Sequence, residues 1–238
     1  MDNQLKALTK VLTNQLNRND IVANNLANIN SVGFKKDVTF FDVLTQQGAA
    51  IQDIKVSTDF SQGIIEDTGN SFDLAITGKG FFVVETEEGP AYTRNGHFTV
   101  NAEGLLCTNE QNPVQGEDGY IAITDDGLKT GEFTVHTNGE IFLDDVLINK
   151  LKIVDFENYE SLSKTTGNSF TTSTGTPVAV ESATVLQGRL ERSNVDAVNE
   201  MIEMIDLQRQ FESIQKTINT IDQASQKVTT EVGRYSNG

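Results

Sequence analysis

Met204-Ile205-Asp206-Leu207-Gln208-Arg209-Gln210-Phe211-Glu212-Ser213-Ile214-Gln215-Lys216-Thr217-Ile218-Asn219-Thr220-Ile221 places apolar residues at alternating steps of three and four. Such steps keep one face of a helix apolar, because 3.6 residues complete a turn. The spacing runs on through Ser225, Val228 and Val232, and an upstream set stands at Val195, Val198, Ile202 and Ile205. Ser193 and Asn194 are good N-cap types, and Gly233 is a natural stop. The pattern predicts a helix of about 38 residues, roughly 57 Å long. So long a stripe needs a companion to cover it.

The N-terminus offers one. Leu5, Leu8, Leu12, Val22, Leu26 and Ile29 share the same spacing, with Gln15 and Asn19 in the intervening slots. This reads as a helix from about Asn3 to Ile29 with a seam that is polar in the middle, a feature that fixes register at a cost in stability. Asn28, Asn30, Ser31 and Gly33 then supply turn formers, and Phe34, Phe40 and Phe41 supply anchors. The two termini are expected to pack on each other.

Between them the period falls to two. Short strands are expected at Gly78 to Glu85, Ala91-Tyr92-Thr93-Arg94, His97-Phe98-Thr99-Val100, Tyr120-Ile121-Ala122-Ile123 and Leu147 to Val154, with turns at Asn95-Gly96, Asp118-Gly119, Asp126-Gly127 and Asn138-Gly139. Gly96-x-Phe98-Thr99-Val100 is echoed by Gly131-x-Phe133-Thr134-Val135, which reads as two similar hairpins. Stretches 35–75 and 158–188 are rich in Ser, Thr, Gly and Asp and read as loosely structured connectors.

Charge is unevenly spread over the 238 residues. The formal net charge is -16, with five cations and two anions in residues 1–36, seven and twenty-four in 37–188, and six and eight in 189–238. The field argues against a nucleic-acid binder, which needs a basic face. Near-neutral ends can approach copies of themselves without large repulsion. One cysteine, Cys107, excludes an internal disulfide. No Sec-type signal peptide and no membrane span of about 18 apolar residues is expected, so no membrane insertion follows.

Candidate chemistry is sparse. Asp125-Asp126 and Asp144-Asp145 could suggest a two-carboxylate glycosidase, but each pair sits beside a turn signal and reads as solvated. Gly78-Lys79-Gly80 lacks the spacing of a phosphate loop and reads as close backbone packing at a strand entry. His97 and His136 have no third ligand near them in sequence, and Cys107 reads as a packing residue. No catalytic, cofactor-binding or metal site is expected.

Ala23-Asn24-Asn25-Leu26-Ala27-Asn28-Ile29-Asn30-Ser31-Val32-Gly33-Phe34-Lys35 resembles the N-terminal signature of bacterial flagellar rod and hook axial proteins, where a helix end runs into a Gly-Phe-Lys or Gly-Tyr-Lys turn. The likeness continues through Asp73-Leu74-Ala75-Ile76-x-Gly78-x-Gly80-Phe81-Phe82, Tyr92-Thr93-Arg94-Asn95-Gly96-x-Phe98, Ser193-Asn194-Val195-Asp196 and Gln208-Arg209-Gln210-Phe211-Glu212. Ser31-Val32 departs where relatives more often place Thr. Hook members are longer and two proximal members lack most of the β insert, so length points to a proximal rod member, with a distal one second.

The resemblance implies a structural subunit that is not an enzyme. Its partners are copies of itself, homologous rod proteins and the type III export apparatus; its place is the periplasmic rod, reached without a cleavable signal peptide. It also implies a hollow helical assembly with the terminal helices inside and the β domain outside. The expected fold is α+β: long N- and C-terminal helices pair as a coiled-coil-like stem around an all-β central domain. The expected divisions are 1–34 (helix and turn), 35–75 (connector), 76–188 (β domain) and 189–238 (helix). The expected assembly seam is Leu5, Leu8, Leu12, Leu26, Leu207, Phe211, Ile214, Ile218 and Ile221, and the family turn is Asn24, Asn25, Leu26, Asn28, Gly33 and Phe34. Two rivals stay open: a β-rich hydrolase of cell-wall glycan, which needs two carboxylates in one cleft, and a monomeric binding module with ordered ends.

Overall fold

The computed structural model describes the backbone of residues 2–46, 49–123, 131–180 and 183–235, and side chains within 9–40, 55–123, 131–180, 183–221 and 223. The chain begins with α1 (Asp2–Ala27), β1 (Asp37–Gln46), β2 (Ala49–Thr58), β3 (Ile65–Asp67), β4 (Leu74–Thr77), β5 (Phe81–Thr86) and β6 (Gly89–Thr93). There follow β7 (Thr99–Val100), β8 (Leu106–Cys107), β9 (Gln115–Gly116), β10 (Gly119–Tyr120), β11 (Phe133–Val135), β12 (Glu140–Leu143) and β13 (Val146–Lys150). Last come β14 (Ile153–Asp155), β15 (Leu162–Lys164), β16 (Ser169–Thr172), β17 (Val178–Ala179), β18 (Thr184–Gln187), β19 (Arg189–Glu191) and α2 (Ala197–Tyr235). Two compact units result: Met1–Ala27 with Asp37–Val56 and Asp196–Gly238, and Asn28–Lys36 with Ser57–Val195.

The second unit is built on a six-stranded sheet in the order β15-β16-β6-β5-β14-β17. Its central strand β5 begins with an unbroken apolar run because both of its faces are covered. Successive side chains point to opposite faces. Phe82 and Val84 enter a core with Leu74, Ile76, Phe98, Leu106 and Ile141. Phe81 and Val83 enter another with Tyr92, Val154, Phe156 and Phe170. In the second core the Phe81 ring meets Phe60, Phe156, Tyr159 and Phe170 edge-on at 5.7–6.2 Å, geometry that the ring quadrupoles favour. At the entry to β5, Gly80 has φ +121°, and a Cβ there would come within 2.7 Å of Ile153 Cγ2.

The paired hairpin motif is present in both copies. Thr99 and Val100 pair with Cys107 and Leu106, and Phe133 to Val135 pair with Leu143 to Ile141. Asp144 and Asp145, at φ 48° and 64°, form the two-residue turn between β12 and β13, as hairpin twist requires. The pair Asp125-Asp126 and the Asp126-Gly127 turn lie outside the described residues.

In the terminal unit the expected coiled-coil-like stem must be corrected. Among the described residues there are two α-helices, and most other regular structure is strand, so the α+β class fits only loosely. Among the described residues, polar side chains bond across α1 and α2 beside the buried Leu207. Gln15 Nε2 donates to Leu207 O at 3.0 Å and to Gln210 Oε1 at 3.1 Å, and Arg18 pairs with Glu203 at 2.8 Å. Part of the α2 pattern turns outward: among the described residues Val198, Ile202, Ile205 and Ile221 are exposed. Heptad spacing gives a coiled coil only when a partner presents an apolar seam in register, and the buried Asn14 and Gln15 of α1 interrupt it.

Helix ends also shift. Asp196, rather than Ser193 or Asn194, caps α2: its Oδ1 accepts from Val198 N at 2.9 Å and Asn199 N at 3.3 Å. The helix also continues through Gly233 to Tyr235, because a glycine ends a helix only where the chain takes a left-handed turn. No helix among the described residues is long and apolar enough to cross a membrane.

Candidate functional site

Asn28 opens a tight turn after α1, with Ser31 N donating to Asn28 O at 3.1 Å. Gly33 then takes φ +66°, and a Cβ built on it would fall 2.3 Å from Asn95 N. Only glycine permits both the left-handed conformation and this approach. Behind it Phe34 is buried, with Lys164 Nζ 4.5 Å above its ring and donating to Lys35 O at 2.6 Å. Asn168 Nδ2 reaches Val32 O at 3.1 Å. The turn is thereby fixed to the β unit from several directions.

Lys35 completes this seat. Its ammonium, 1% exposed, donates to Ser61 O at 2.7 Å and to Glu191 Oε1 at 2.5 Å. Glu191 also receives Gly63 N at 2.9 Å and Arg94 Nη1 at 3.1 Å, while its own carbonyl accepts Gly33 N at 2.8 Å. Arg94 extends to Gly78 O at 2.7 Å and lies 5.3 Å from the centroid of the Phe81 ring. Burial pulls Lys35 below its ordinary pKa of 10.5, and the facing carboxylate opposes that pull. Three charges sealed from water meet in one structural knot.

Nearby, Lys36 N donates to Asn194 Oδ1 at 2.8 Å, and Asn194 Nδ2 donates to Asp59 O at 2.8 Å. Lys35, Arg94 and Asn194 belong to the motifs that carry the family resemblance, and those motifs by themselves assign them no role. Lys35 and Glu191 stand 156 positions apart, so no spacing rule links them; a cation placed directly after Gly33-Phe34 was the one available signal.

The seam residues are placed unevenly. Leu207 is buried; Leu12, Leu26, Phe211, Ile214 and Ile218 are half-buried; Ile221 is exposed. The side chains of Leu5 and Leu8 lie outside the described residues. Of the family turn, Asn24 is exposed and Asn28 half-buried, whereas Asn25 is buried. Asn25 Nδ2 donates to Asp37 O at 2.8 Å and to Glu200 Oε2 at 3.3 Å, and its Oδ1 accepts Asp37 N at 3.0 Å. One amide therefore ties α1 to both β1 and α2. His97 Nδ1 sits 2.7 Å from Asp73 Oδ1, and the His136 ring lies 4.4 Å from that of Phe142. Among the described residues no group of three His, Cys, Asp or Glu side chains could hold a metal ion.

Comparison with known proteins shows that three family models match: flagella basal body rod protein over residues 5–35, the flagellar hook protein FlgE/F/G D1 domain over 75–143, and flagellar basal body rod FlgEFG protein C-terminal over 186–231. The flagellar basal-body rod protein FlgF of Caulobacter vibrioides is 35% identical over 230 residues, covering 91% of this chain and 92% of its own. The flagellar basal-body rod protein FlgG of Bacillus subtilis is 33% identical over 243 residues, covering 88% and 91%. The chain belongs to the flagellar basal-body rod protein family. This rod protein is a structural subunit of the flagellar rod, FlgF-like or FlgG-like. Each of the three matched regions contributes one charge to the buried knot: Lys35, Arg94 and Glu191.

Proposed function

We propose that this rod protein assembles with copies of itself and with homologous rod proteins through the faces of its terminal helices, forming a hollow axial structure that transmits torque across the periplasm. The observation that carries this reading is the row of apolar side chains left exposed on α2 at Val198, Met201, Ile202 and Ile205, in a segment matched by the rod C-terminal family model. Repeated contact between unlike faces builds a filament. In this reading residues 1–34 and 189–238 face the tube and 76–188 face outward, with 35–75 joining them. Leu5, Leu8, Leu12, Leu26, Leu207, Phe211, Ile214, Ile218 and Ile221 serve inter-subunit packing, and the Asn24 to Phe34 turn sets the direction of the chain.

The subunit acts as a proximal rod component, performs no catalysis, and leaves the cell through the type III export apparatus. The test is Ile214→Asp in cells lacking the natural protein. Rods and motility should be lost while the β unit of the purified chain melts unchanged. A variant that still builds rods overturns the packing role.

A further inference from the structure

Asparagine followed by glycine is the step of a chain most open to self-modification, because a glycine amide has no side chain to keep it from the neighbouring carboxamide. Three such steps occur here, Asn95-Gly96, Asn138-Gly139 and Asn237-Gly238, and the last lies outside the described residues. The other two share one feature. Asn95 Oδ1 accepts His97 N at 3.0 Å, and Asn138 Oδ1 accepts Glu140 N at 3.1 Å. This bond folds each side chain back along its own backbone, with its carbonyl polarised by a donor.

The two steps differ at the glycine. Gly139 N donates to His136 O at 2.9 Å and closes a turn, which ties up the amide that must attack. Among the described residues no acceptor takes Gly96 N, and none takes Asn95 Nδ2. Attack at Asn95 therefore breaks no hydrogen bond of the nucleophile or of the leaving group, whereas attack at Asn138 breaks the turn. Neighbouring groups of the step are held: Asn95 N donates to Thr93 Oγ1 at 3.0 Å, and Gly96 O accepts Leu74 N at 2.9 Å. The Asn95 residue is half-buried, so water still reaches it.

We propose that Asn95 is a site of spontaneous conversion to isoaspartate, and that the conversion unseats the turn at residues 28–36. Gly96 N bonds to Asn95 Cγ as the Cγ–Nδ2 bond breaks; the amide proton leaves with Nδ2 as ammonia, and a cyclic imide remains. Water then opens the imide, at Cγ to give aspartate or at the main-chain carbonyl to give isoaspartate, whose backbone is longer by one methylene. That carbon enters where Asn95 N faces Gly33, a place without room for even a Cβ on the glycine. Gly33 N in turn donates to Glu191 O at 2.8 Å, so the displaced turn pulls on its seat.

The test ages the full-length chain at neutral pH and maps its peptides by mass spectrometry, with electron-transfer fragmentation to tell isoaspartate from aspartate. Isoaspartate should accumulate at position 95 several-fold faster than at position 138. In urea, where the turn bond is lost, the two rates should converge, since both steps end in glycine. Asn138 reacting as fast as Asn95 in the folded chain, a rate ratio that urea leaves unchanged, or an Asn95 that does not react overturns the assignment. The isoaspartate fraction, separated by ion exchange, should melt below Asn95→Asp, which carries the same added charge on a backbone of natural length. Equal melting of the two overturns the unseating.

Discussion

Lys35 Nζ lies 2.5 Å from Glu191 Oε1, with each side chain 1% exposed. Their meeting locks the turn after α1 to β19. Breaking a buried pair leaves an uncompensated charge, at a cost on the order of 3–5 kcal/mol. Glu191→Gln keeps the shape, but neither Lys35 nor Arg94 retains a countercharge there. Urea unfolding of the β unit should lose about that much, and a midpoint equal to that of the natural chain would show that the knot contributes nothing.

Gly33 and Gly69 have nearly the same backbone angle, φ +66° and +71°, but different surroundings: a Cβ at Gly69 meets nothing within 4 Å, and one at Gly33 meets Asn95 N at 2.3 Å. Gly69→Ala should therefore cost only the left-handed strain, about 1–2 kcal/mol. Gly33→Ala should cost clearly more, because the Asn95 backbone must also move. Thermal melts of the two variants side by side separate the contributions; equal losses would mean that the close approach is not tight.

Asn25 donates to Glu200 and both donates to and accepts from the Asp37 backbone. Asn25→Asp preserves its volume but sets a carboxylate against Glu200 and the Asp37 carbonyl. Loss of these buried bonds should cost about 1–3 kcal/mol. The readout is amide exchange: protection at the start of α2 and the end of α1 should fall, with none lost in the six-stranded sheet. Unchanged exchange at both helix ends would remove Asn25 from its tying role.

Tyr159 is raised from 10.0 to about 12, chiefly by burial and then by its hydrogen bond to Asp155 and the charge of that carboxylate. The folded chain holds this proton at pH values where the unfolded chain has released it. Stability from Tyr159 is therefore complete below pH 10 and is lost as pH rises toward about 12. Ultraviolet titration should show a late phenolate step that Tyr159→Phe deletes, and that variant should lose less stability over the same window. A step of the same size in Tyr159→Phe would contradict the assignment.

Much of this molecule is written locally. Both helices follow from three-and-four spacing, β5 from an unbroken apolar run, and the Asp144-Asp145 turn from its composition, because periodicity and turn chemistry act within a few residues. The stretch 158–188 looked loose in composition yet forms strands β15 to β18; Ser and Thr edge residues pair through backbone groups, which composition does not register. The pattern of α2 was visible, but not that Val198 and Ile202 face away from α1 while Leu207 faces toward it. Which side of an amphipathic helix finds a neighbour depends on where the rest of the chain goes.

The sequence by itself determined where the chain is helical and where extended, where it turns, and that it is a flagellar rod protein. Only the tertiary structure decided that Lys35, Arg94 and Glu191 share one sealed knot and that Gln15, Arg18 and Asn25 bond across the two helices. The reason is range: secondary structure is set by neighbours a few residues apart, whereas a buried charge can be tolerated only where distant segments bring its partners within hydrogen-bonding distance.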